Sequence, residues 1–322
     1  MPLTLSRRAA LKSAGLLSAA VALPAFAKAP MLGVSRPDFY RFRVGDLEVT
    51  TILDGAVQIP GPHPIFGQNV SAEEVAALTA ANFLPAEQLE IPFTVTLVNT
   101  GSELILFDTG NGGTTGRRPN AGNLLKRMAR AGYTPDQVDL VVMTHFHPDH
   151  IGGLMEDGAP AFPNATYVMP AAEYDFWSPV EKAEAENTAR VGKLVQSNVV
   201  PFAAKTRFIK PGDSVVSGID ALDTSGHTPG HTAYHLESNG KRLLLTGDLA
   251  NHYVVSLQRP DWHVRFDMDK EKAVQARKDV LGMIAADKIP FVGYHMPAPA
   301  VGYLEAIDGG FRFIPVSYQL NY

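Results

Sequence analysis

The chain has 322 residues, of which 45% are hydrophobic and 19% are charged, a composition typical of a globular protein with a sizeable core. Its formal net charge is −5 and it has no basic run, which excludes the electrostatic footprint of a nucleic-acid-binding protein. It has no cysteine, so disulfides are excluded and any metal must be held by histidine and carboxylate.

Residues 1–27 have the pattern of a bacterial twin-arginine export signal. Arg7 and Arg8 precede a short apolar stretch, and Ala25-Phe26-Ala27 has the form of a cleavage site. An amphipathic helix or a membrane anchor is the alternative, but the apolar stretch is shorter than the roughly 20 residues that span a bilayer. We therefore predict an exported, periplasmic protein with no stable membrane span, in which residues 28–322 form a single domain.

The predicted elements alternate between strands and helices along the chain. Strands are predicted, in chain order, for residues 39–51 (a hairpin turning at Gly45-Asp46), 93–99, 103–108, 139–144, 166–170, 206–209, 219–223, 231–237, 242–246 and 291–293. Helices are predicted from a capping box at Ser71 and Glu74, and for residues 120–131, 171–198 and 270–286. Residues 55–69 are rich in glycine and proline and predict a loop. Hairpins mixed with strand–helix units favour an α+β fold, in which two mixed sheets pack face to face with helices outside.

A cluster of metal-binding side chains directly follows the apolar strand at residues 139–144. Its members are His145, His147, Asp149 and His150. His145 and His147 are two positions apart, so in extended backbone their side chains point to the same side. A histidine-rich surface turn is the alternative, but the cluster follows a buried strand and Gly152-Gly153 permits tight backbone packing behind it. The pattern therefore predicts a metal centre.

His145-x-His147-x-Asp149-His150 resembles the H-x-H-x-D-H signature of the metallo-β-lactamase superfamily. Four further segments resemble family segments in the family's order: Asp108-Thr109-Gly110, Gly226-His227-Thr228-Pro229-Gly230-His231-Thr232, Thr246-Gly247-Asp248 and Gly293-Tyr294-His295. The resemblance covers about residues 39–300. It implies the αββα sandwich of that superfamily.

The resemblance also implies a centre of two metal ions. The first ion would be held by His145, His147 and His231, the second by Asp149, His150 and His295, and Asp248 would bridge the two. Nitrogen and oxygen donors without sulfur suit zinc, and Mn²⁺, Co²⁺ or Fe²⁺ are alternatives. We therefore expect two Zn²⁺ ions.

Two residues are expected to orient ligands without binding metal. The family match selects His231 from its loop, which leaves His227 to orient a ligand from outside. Asp108 is expected to hold the far nitrogen of a ligating histidine, and a turn-forming role is the alternative.

Three residues are candidates for contact with the substrate. Phe146 and Trp177 could line an apolar pocket, although Trp177 could equally belong to the core. His252 follows Asp248 by four residues and could border the same pocket. Acyl-homoserine lactonases of the superfamily place a tyrosine three residues after the bridging aspartate, whereas this chain has Asn251, which weakens a direct assignment to those enzymes.

Residues 39–46 (FYRFRVGD), residues 173–177 (EYDFW), the sequence after Asp248 and the export signal most resemble one branch of the superfamily, that of methyl parathion hydrolase and its lactonase or aryl-esterase relatives. This implies an enzyme in which a metal-bridging hydroxide attacks a lactone, carboxylic ester or phosphotriester, with Asp149 and Asp248 as catalytic anionic ligands. The alternatives are a quorum-quenching acyl-homoserine lactonase, a β-lactam hydrolase and a non-catalytic periplasmic metal-binding protein. The expected partner is the small-molecule substrate, and the same branch implies a homodimer.

Overall fold

The computed structural model of the protein describes residues 29–317, 320 and 321. The chain divides into two compact units, Met1–Ser35 and Arg36–Tyr322. In the first unit, residues 29–35 form no helix or strand, and the second unit contains the elements given below. The predicted export signal at residues 1–27 lies outside the described residues and stays a prediction.

The second unit alternates strands with short helices. The strands are β1 Phe39–Val44, β2 Leu47–Pro60, β3 Gln88–Asn99, β4 Leu104–Phe107, β5 Leu140–Val142, β6 Met155–Glu156, β7 Ala159–Pro160, β8 Thr166–Pro170, β9 Thr206–Ile209, β10 Ser214–Val216, β11 Ile219–Asp223, β12 Thr232–Ser238, β13 Lys241–Leu245, β14 Phe291–Val292, β15 Val301–Ile307 and β16 Gly310–Pro315. The helices are α1 Ala72–Ala81, α2 Leu124–Arg130, α3 Pro148–Ile151, α4 Ala171–Trp177, α5 Glu181–Glu184, α6 Ala189–Asn198, α7 Val255–Gln258 and α8 Lys270–Asp287. Within the described ranges, none of these helices is both long and apolar enough to cross a membrane.

The strands form two seven-stranded mixed sheets and a small β6–β7 hairpin. The first sheet has the order β1-β2-β3-β4-β5-β8-β9, with antiparallel pairs up to β4 and parallel pairs from β4 onwards. The second sheet has the order β10-β11-β12-β13-β14-β15-β16, in which β13 and β14 are parallel and the other neighbours are antiparallel.

Side chains of the first sheet alternate between two hydrophobic cores. Phe107 faces the second sheet, where its ring lies 5.1 Å from that of Tyr234 on β12. Leu106 points to the opposite face and packs in a core that includes Met128 of α2. Helix α8 joins the core of the second sheet through Leu281. The predicted sandwich of two mixed sheets with outer helices is confirmed.

Strand β2 is longer than the sequence predicted. Residues 55–69 were expected to form a loop, but β2 continues to Pro60 and pairs with β3 over this stretch. A register shift immediately before Gly55 lets the strand bend there, and Val57 and Ile59 then continue the alternation of apolar residues. The prediction was wrong because glycine and proline at the ends of this short stretch obscured its strand periodicity.

The loop that follows the histidine cluster packs against the loop after β4 without room for a side chain. A Cβ atom on Gly153 would lie 2.0 Å from the carbonyl oxygen of Thr109, and one on Gly152 would lie 2.1 Å from that of Asn111. The Gly153 N–H donates to the carbonyl of Gly110 at 3.1 Å. This close approach requires glycine and holds the metal-binding segment against the end of the first sheet.

We expect Gly153→Ala to lower the free energy of unfolding by about 2 kcal/mol or more, because the added methyl must displace backbone. Gly282→Ala is the control, since its Cβ would meet no atom within 4 Å and alanine favours the interior of α8. The free energy of unfolding of Gly282→Ala should rise by up to about 1 kcal/mol. Urea denaturation of both variants measures the difference, and equal stabilities would contradict the packing described here.

Candidate metal centre

Loops from both sheets bring the predicted cluster together. The first sheet supplies His145 and His147 from the loop after β5, and Asp149 and His150 from α3. The second sheet supplies His227 from the β11–β12 loop, Asp248 from the segment after β13 and His295 from the segment after β14. The site therefore lies where the ends of the two sheets meet.

The donor atoms form two groups, each with its atoms within 4.8 Å of one another. The first group is His145, His147, His227 and Asp248, and the second is Asp149, His150 and His295. Asp248 lies between the groups. Its Oδ1 is 3.1 Å from Nε2 of His150, and its Oδ2 is 3.1 Å from Nε2 of His295 and 3.3 Å from Nε2 of His227. One carboxylate thus faces ligands from both groups, which is the position expected of a bridge.

Three buried polar atoms at the centre fit a bound cation. Nε2 of His145, Nε2 of His150 and Oδ1 of Asp248 are buried, and none of them makes a well-aligned hydrogen bond with the described residues, although the last two atoms lie 3.1 Å apart. Buried polar atoms are rarely left in this condition, and each belongs to a residue of the two groups. Imidazole nitrogens and carboxylate oxygens without sulfur are a donor set that suits Zn²⁺. The residues present therefore fit a dinuclear metal centre.

The structure corrects the choice between the two histidines of the β11–β12 loop. Nε2 of His227 lies 2.9 Å from Nδ1 of His147 and faces Asp248, so His227 belongs to the first group. His231 was predicted as a ligand, but its Nε2 accepts the backbone N–H of Asp248 at 2.9 Å. Its Nδ1 lies 2.7 Å from Oγ1 of Thr224. Both ring nitrogens of His231 are engaged, so this residue fixes the backbone of Asp248 and does not join the cluster.

Carboxylates outside the cluster orient two of its histidines. Oδ2 of Asp108 lies 2.8 Å from Nδ1 of His150, as expected from the sequence, and Asp108 also accepts the backbone N–H of Thr144. Oδ1 of Asp267 lies 2.9 Å from Nδ1 of His227, and its Oδ2 accepts from the buried Arg277 at 2.7 Å. Such contacts fix the ring orientation and tautomer of a ligating histidine. No motif identified Asp267, which lies forty positions after His227 in the chain.

Burial and local charge set the protonation of these histidines. Burial lowers the pKa of His147 to about 3 and that of His231 to about 3. Burial also disfavours the charged form of His227, but hydrogen bonds with Asp248 and Asp267 outweigh it and raise its pKa to about 9. The network therefore holds His147 neutral, the form that coordinates metal, while carboxylates stabilise charge on His227 in the absence of metal.

A cavity of about 640 Å³ opens over the cluster. His147, Asp149, Asp248 and His295 lie in its lining. Its walls carry apolar side chains, namely Val57, Ile59, Ile91, Phe93, Val191 and Phe266. A concave, mostly apolar space with a few convergent polar groups is the usual form of a small-molecule site.

The model of the metallo-beta-lactamase superfamily matches residues 92–286, more than half of the chain. This protein belongs to the metallo-beta-lactamase superfamily. An N-acyl homoserine lactonase from a Bacillus species is 29% identical over 182 residues, a match that covers 51% of this chain and 66% of that lactonase. The match thus spans just under two thirds of that relative.

Two solved structures share the fold along almost their whole length. AidC, a dizinc quorum-quenching lactonase in complex with a product N-hexanoyl-L-homoserine, is 27% identical, with a TM-score of 0.81 over 87% of this chain and 98% of that one. The hydrolase AbOPH is 28% identical, with a TM-score of 0.81 over 89% of this chain and 100% of that one.

Two of the residues predicted to contact the substrate do not line the cavity. Phe146 and Trp177 are buried in the core on the helix side of the first sheet, and neither borders the cavity over the cluster. The sequence could not separate them from pocket residues, because large aromatic side chains serve both roles. His252 borders a second cavity of about 280 Å³, which shares His295 with the first.

Glu173 joins the two metal-binding loops and was not identified from the sequence. This buried carboxylate accepts the N–H of Phe146 at 3.0 Å and the indole N–H of Trp177 at 2.9 Å on one oxygen, and the N–H of Gly230 at 2.8 Å on the other. Burial raises the pKa of Glu173, whereas these donors favour its anion. One side chain thereby sets the distance between the His145–His147 segment and the loop of His227.

Matched substitutions distinguish the roles of the two loop histidines. His227→Asn should bind about one zinc per chain in place of two, because the first group loses a ligand. His231→Asn should keep two, because no donor of either group is removed. We expect its activity to fall by about 10- to 100-fold, as for other residues that position metal ligands. Elemental analysis of the folded variants measures the zinc bound per chain. Two zinc ions per chain in His227→Asn would contradict the assignment of His227 as a ligand.

Glu173→Gln should lower the free energy of unfolding by about 1–3 kcal/mol, because the amide N–H₂ meets a backbone or indole donor and leaves it unsatisfied. Asp175→Asn, on the exposed side of the same helix, is the control and should be neutral. Chemical denaturation of the zinc-loaded proteins measures the change. Equal stabilities of the two variants would show that Glu173 does not hold the loops together.

Proposed function

We propose that this protein is a dinuclear zinc hydrolase that cleaves lactones and carboxylic esters. The observation that carries the proposal is the place of Asp248, which faces histidines of both groups at the base of the cavity. The similarity to lactonases of known structure supports the same class of reaction. Asn251, three residues after Asp248, stands where the acyl-homoserine lactonases have a tyrosine, which weakens a direct assignment to those enzymes, so the proposal includes carboxylic esters as well as lactones.

Bound zinc would supply Lewis acidity and would lower the pKa of coordinated water towards about 7. His145, His147 and His227 would hold one ion, Asp149, His150 and His295 the other, and Asp248 both. The carboxylates of Asp149 and Asp248 would offset part of the positive charge of the two ions. Asp248 lies in the lining of the cavity, where its carboxylate is placed to take a proton from the attacking water and to return it to the leaving oxygen.

Asn251 occupies the position at which the resembling lactonases have a tyrosine. Its Nδ2 donates to Oδ2 of Asp248 at 3.0 Å, and its Oδ1 is buried without a partner among the described residues. Because Asn251 also borders the cavity, its amide can steady Asp248 and contact a polar group of the substrate. The hydroxyl of Tyr294 donates to the backbone carbonyl of Asp149, so that phenol is already engaged.

The test is a panel of four substrates: an aliphatic lactone, a 4-nitrophenyl ester, a phosphotriester and a β-lactam. Protein stripped by a chelator should be inactive, and zinc should restore turnover of the lactone and the ester. His145→Ala should lower that turnover by more than about 100-fold, since even residues that only position ligands contribute 10- to 100-fold. Initial rates with zinc-, manganese- and cobalt-loaded enzyme provide the measurement.

His235→Ala is the matched control, because His235 lies on β12 and contacts Arg242 outside the cavity. Its rates should equal those of the unmodified protein. Stoichiometric zinc without turnover of any of the four substrates would overturn the proposed function and leave a metal-binding protein.

A further inference from the structure

The wall of the active-site cavity carries an excess of arginine. Beyond the residues of the metal cluster, the charged side chains that line it within the described part of the chain are Arg117, Arg118, Arg190 and Arg265. The chain as a whole has 33 acidic and 28 basic residues. The positive wall is therefore opposite in sign to the net charge of the protein, and a general surplus of basic residues does not explain it.

Two of the four arginines form hydrogen bonds and ion pairs with other side chains of the protein. Arg117 donates to Oδ1 of Asn111 at 2.7 Å and lies 3.8 Å from a carboxylate oxygen of Asp149. Arg118 binds both carboxylate oxygens of Glu156, at 2.8 and 2.9 Å. These partners fix both side chains, and the ion pair neutralises the charge of Arg118.

The other two arginines have no such partner. Among the described residues, neither Arg190 nor Arg265 forms a side-chain hydrogen bond or an ion pair. Both are exposed, and the guanidinium of Arg265 lies 5.4 Å from the ring centroid of Phe266 in the same cavity wall. Arg190 also borders a neighbouring cleft of about 330 Å³, which adds Lys193 and no acidic residue. Two guanidinium groups are therefore available to a ligand in the cavity.

We propose that Arg190 and Arg265 form an anion-binding subsite and that the substrate is an ester or lactone whose non-reacting end carries a negative charge, such as a carboxylate. The inference rests on the proposed hydrolase function and narrows its substrate class. The apolar wall, which includes Ile91 and Phe93, holds the body of such a molecule, while the reacting carbonyl lies over the cluster. Guanidinium groups match the planar carboxylate, and the concave wall concentrates their field.

The experiment compares two esters with the same leaving group and the same carbon count, mono-4-nitrophenyl glutarate and 4-nitrophenyl pentanoate. They differ by a terminal carboxylate in place of a methyl group. Zinc-loaded enzyme should hydrolyse the glutarate ester with a kcat/KM about tenfold higher at low salt, if each exposed pair contributes a few-fold. That preference should fall towards one in 1 M salt, because ions screen exposed charges.

Arg190→Gln and Arg265→Gln should each raise KM for the glutarate ester about three- to fivefold and leave the pentanoate ester unchanged. Arg190→Lys should keep most of the preference, since it retains the charge. Arg242→Gln is the control, because Arg242 pairs with Asp287 away from this cavity. The pentanoate rate shows in every variant that the fold and the metal centre are intact.

The outcomes separate this inference from the function on which it rests. Equal kcat/KM values for the two esters, unchanged by either arginine variant, overturn the subsite while the hydrolase stands. A loss that affects both esters equally also overturns it, because the arginines would then act on the enzyme in general. If neither ester is hydrolysed by zinc-loaded protein, the proposed function itself fails.

Discussion

The constraint on which the site depends is the packing of six ionisable side chains, all buried or partly buried, around the buried carboxylate of Asp248. Removing charged groups from water costs several kcal/mol each unless other charges and hydrogen bonds compensate. The chain compensates in part, since Asp108 and Asp267 each hold the outer nitrogen of a clustered histidine. The inner nitrogens of His145 and His150 still make no well-aligned hydrogen bond with the described residues. A cation bound between these atoms would offset the remaining cost of burying them. The same ion would therefore stabilise the fold and supply the chemistry of the centre.

Because the donors come from both sheets, metal binding also links the sheets to each other. Hydrogen bonds between the two sheets lie next to the metal centre as well. The hydroxyl of Tyr234 on β12 donates to the backbone carbonyl of Met143 at 2.7 Å, and the N–H of Thr232 donates to the carbonyl of Thr144 at 3.0 Å. Together with Glu173, these bonds fix the relative positions of the loops before any ion arrives. Preorganisation of this kind is what a site with short metal–ligand distances requires.

The sequence predicted the parts of the site that depend on local spacing. The cluster that begins at His145 could be identified because its donors follow one buried strand at fixed intervals. The choice between His227 and His231 could not, since both occupy one short loop and only contacts with Asp267 and Asp248 separate them. Phe146 was misassigned for the same reason, because burial is a tertiary property that a residue type does not reveal. The sandwich was predictable from alternating strands, whereas the length of β2 depended on its pairing with β3.

The base and the wall of the cavity are built by different parts of the fold. The metal donors lie at or near strand ends, where the packing of both cores leaves little freedom. Arg190 lies in the first turn of α6, and Arg265 lies in the segment between α7 and α8. An exposed arginine can be replaced at small cost in stability, whereas a change at Asp248 would disturb every group around it. Reaction class is thus tied to the packed geometry of the two sheets, and substrate preference to side chains that the core does not constrain. It follows that the charge of the wall carries more information about the substrate than the metal ligands do.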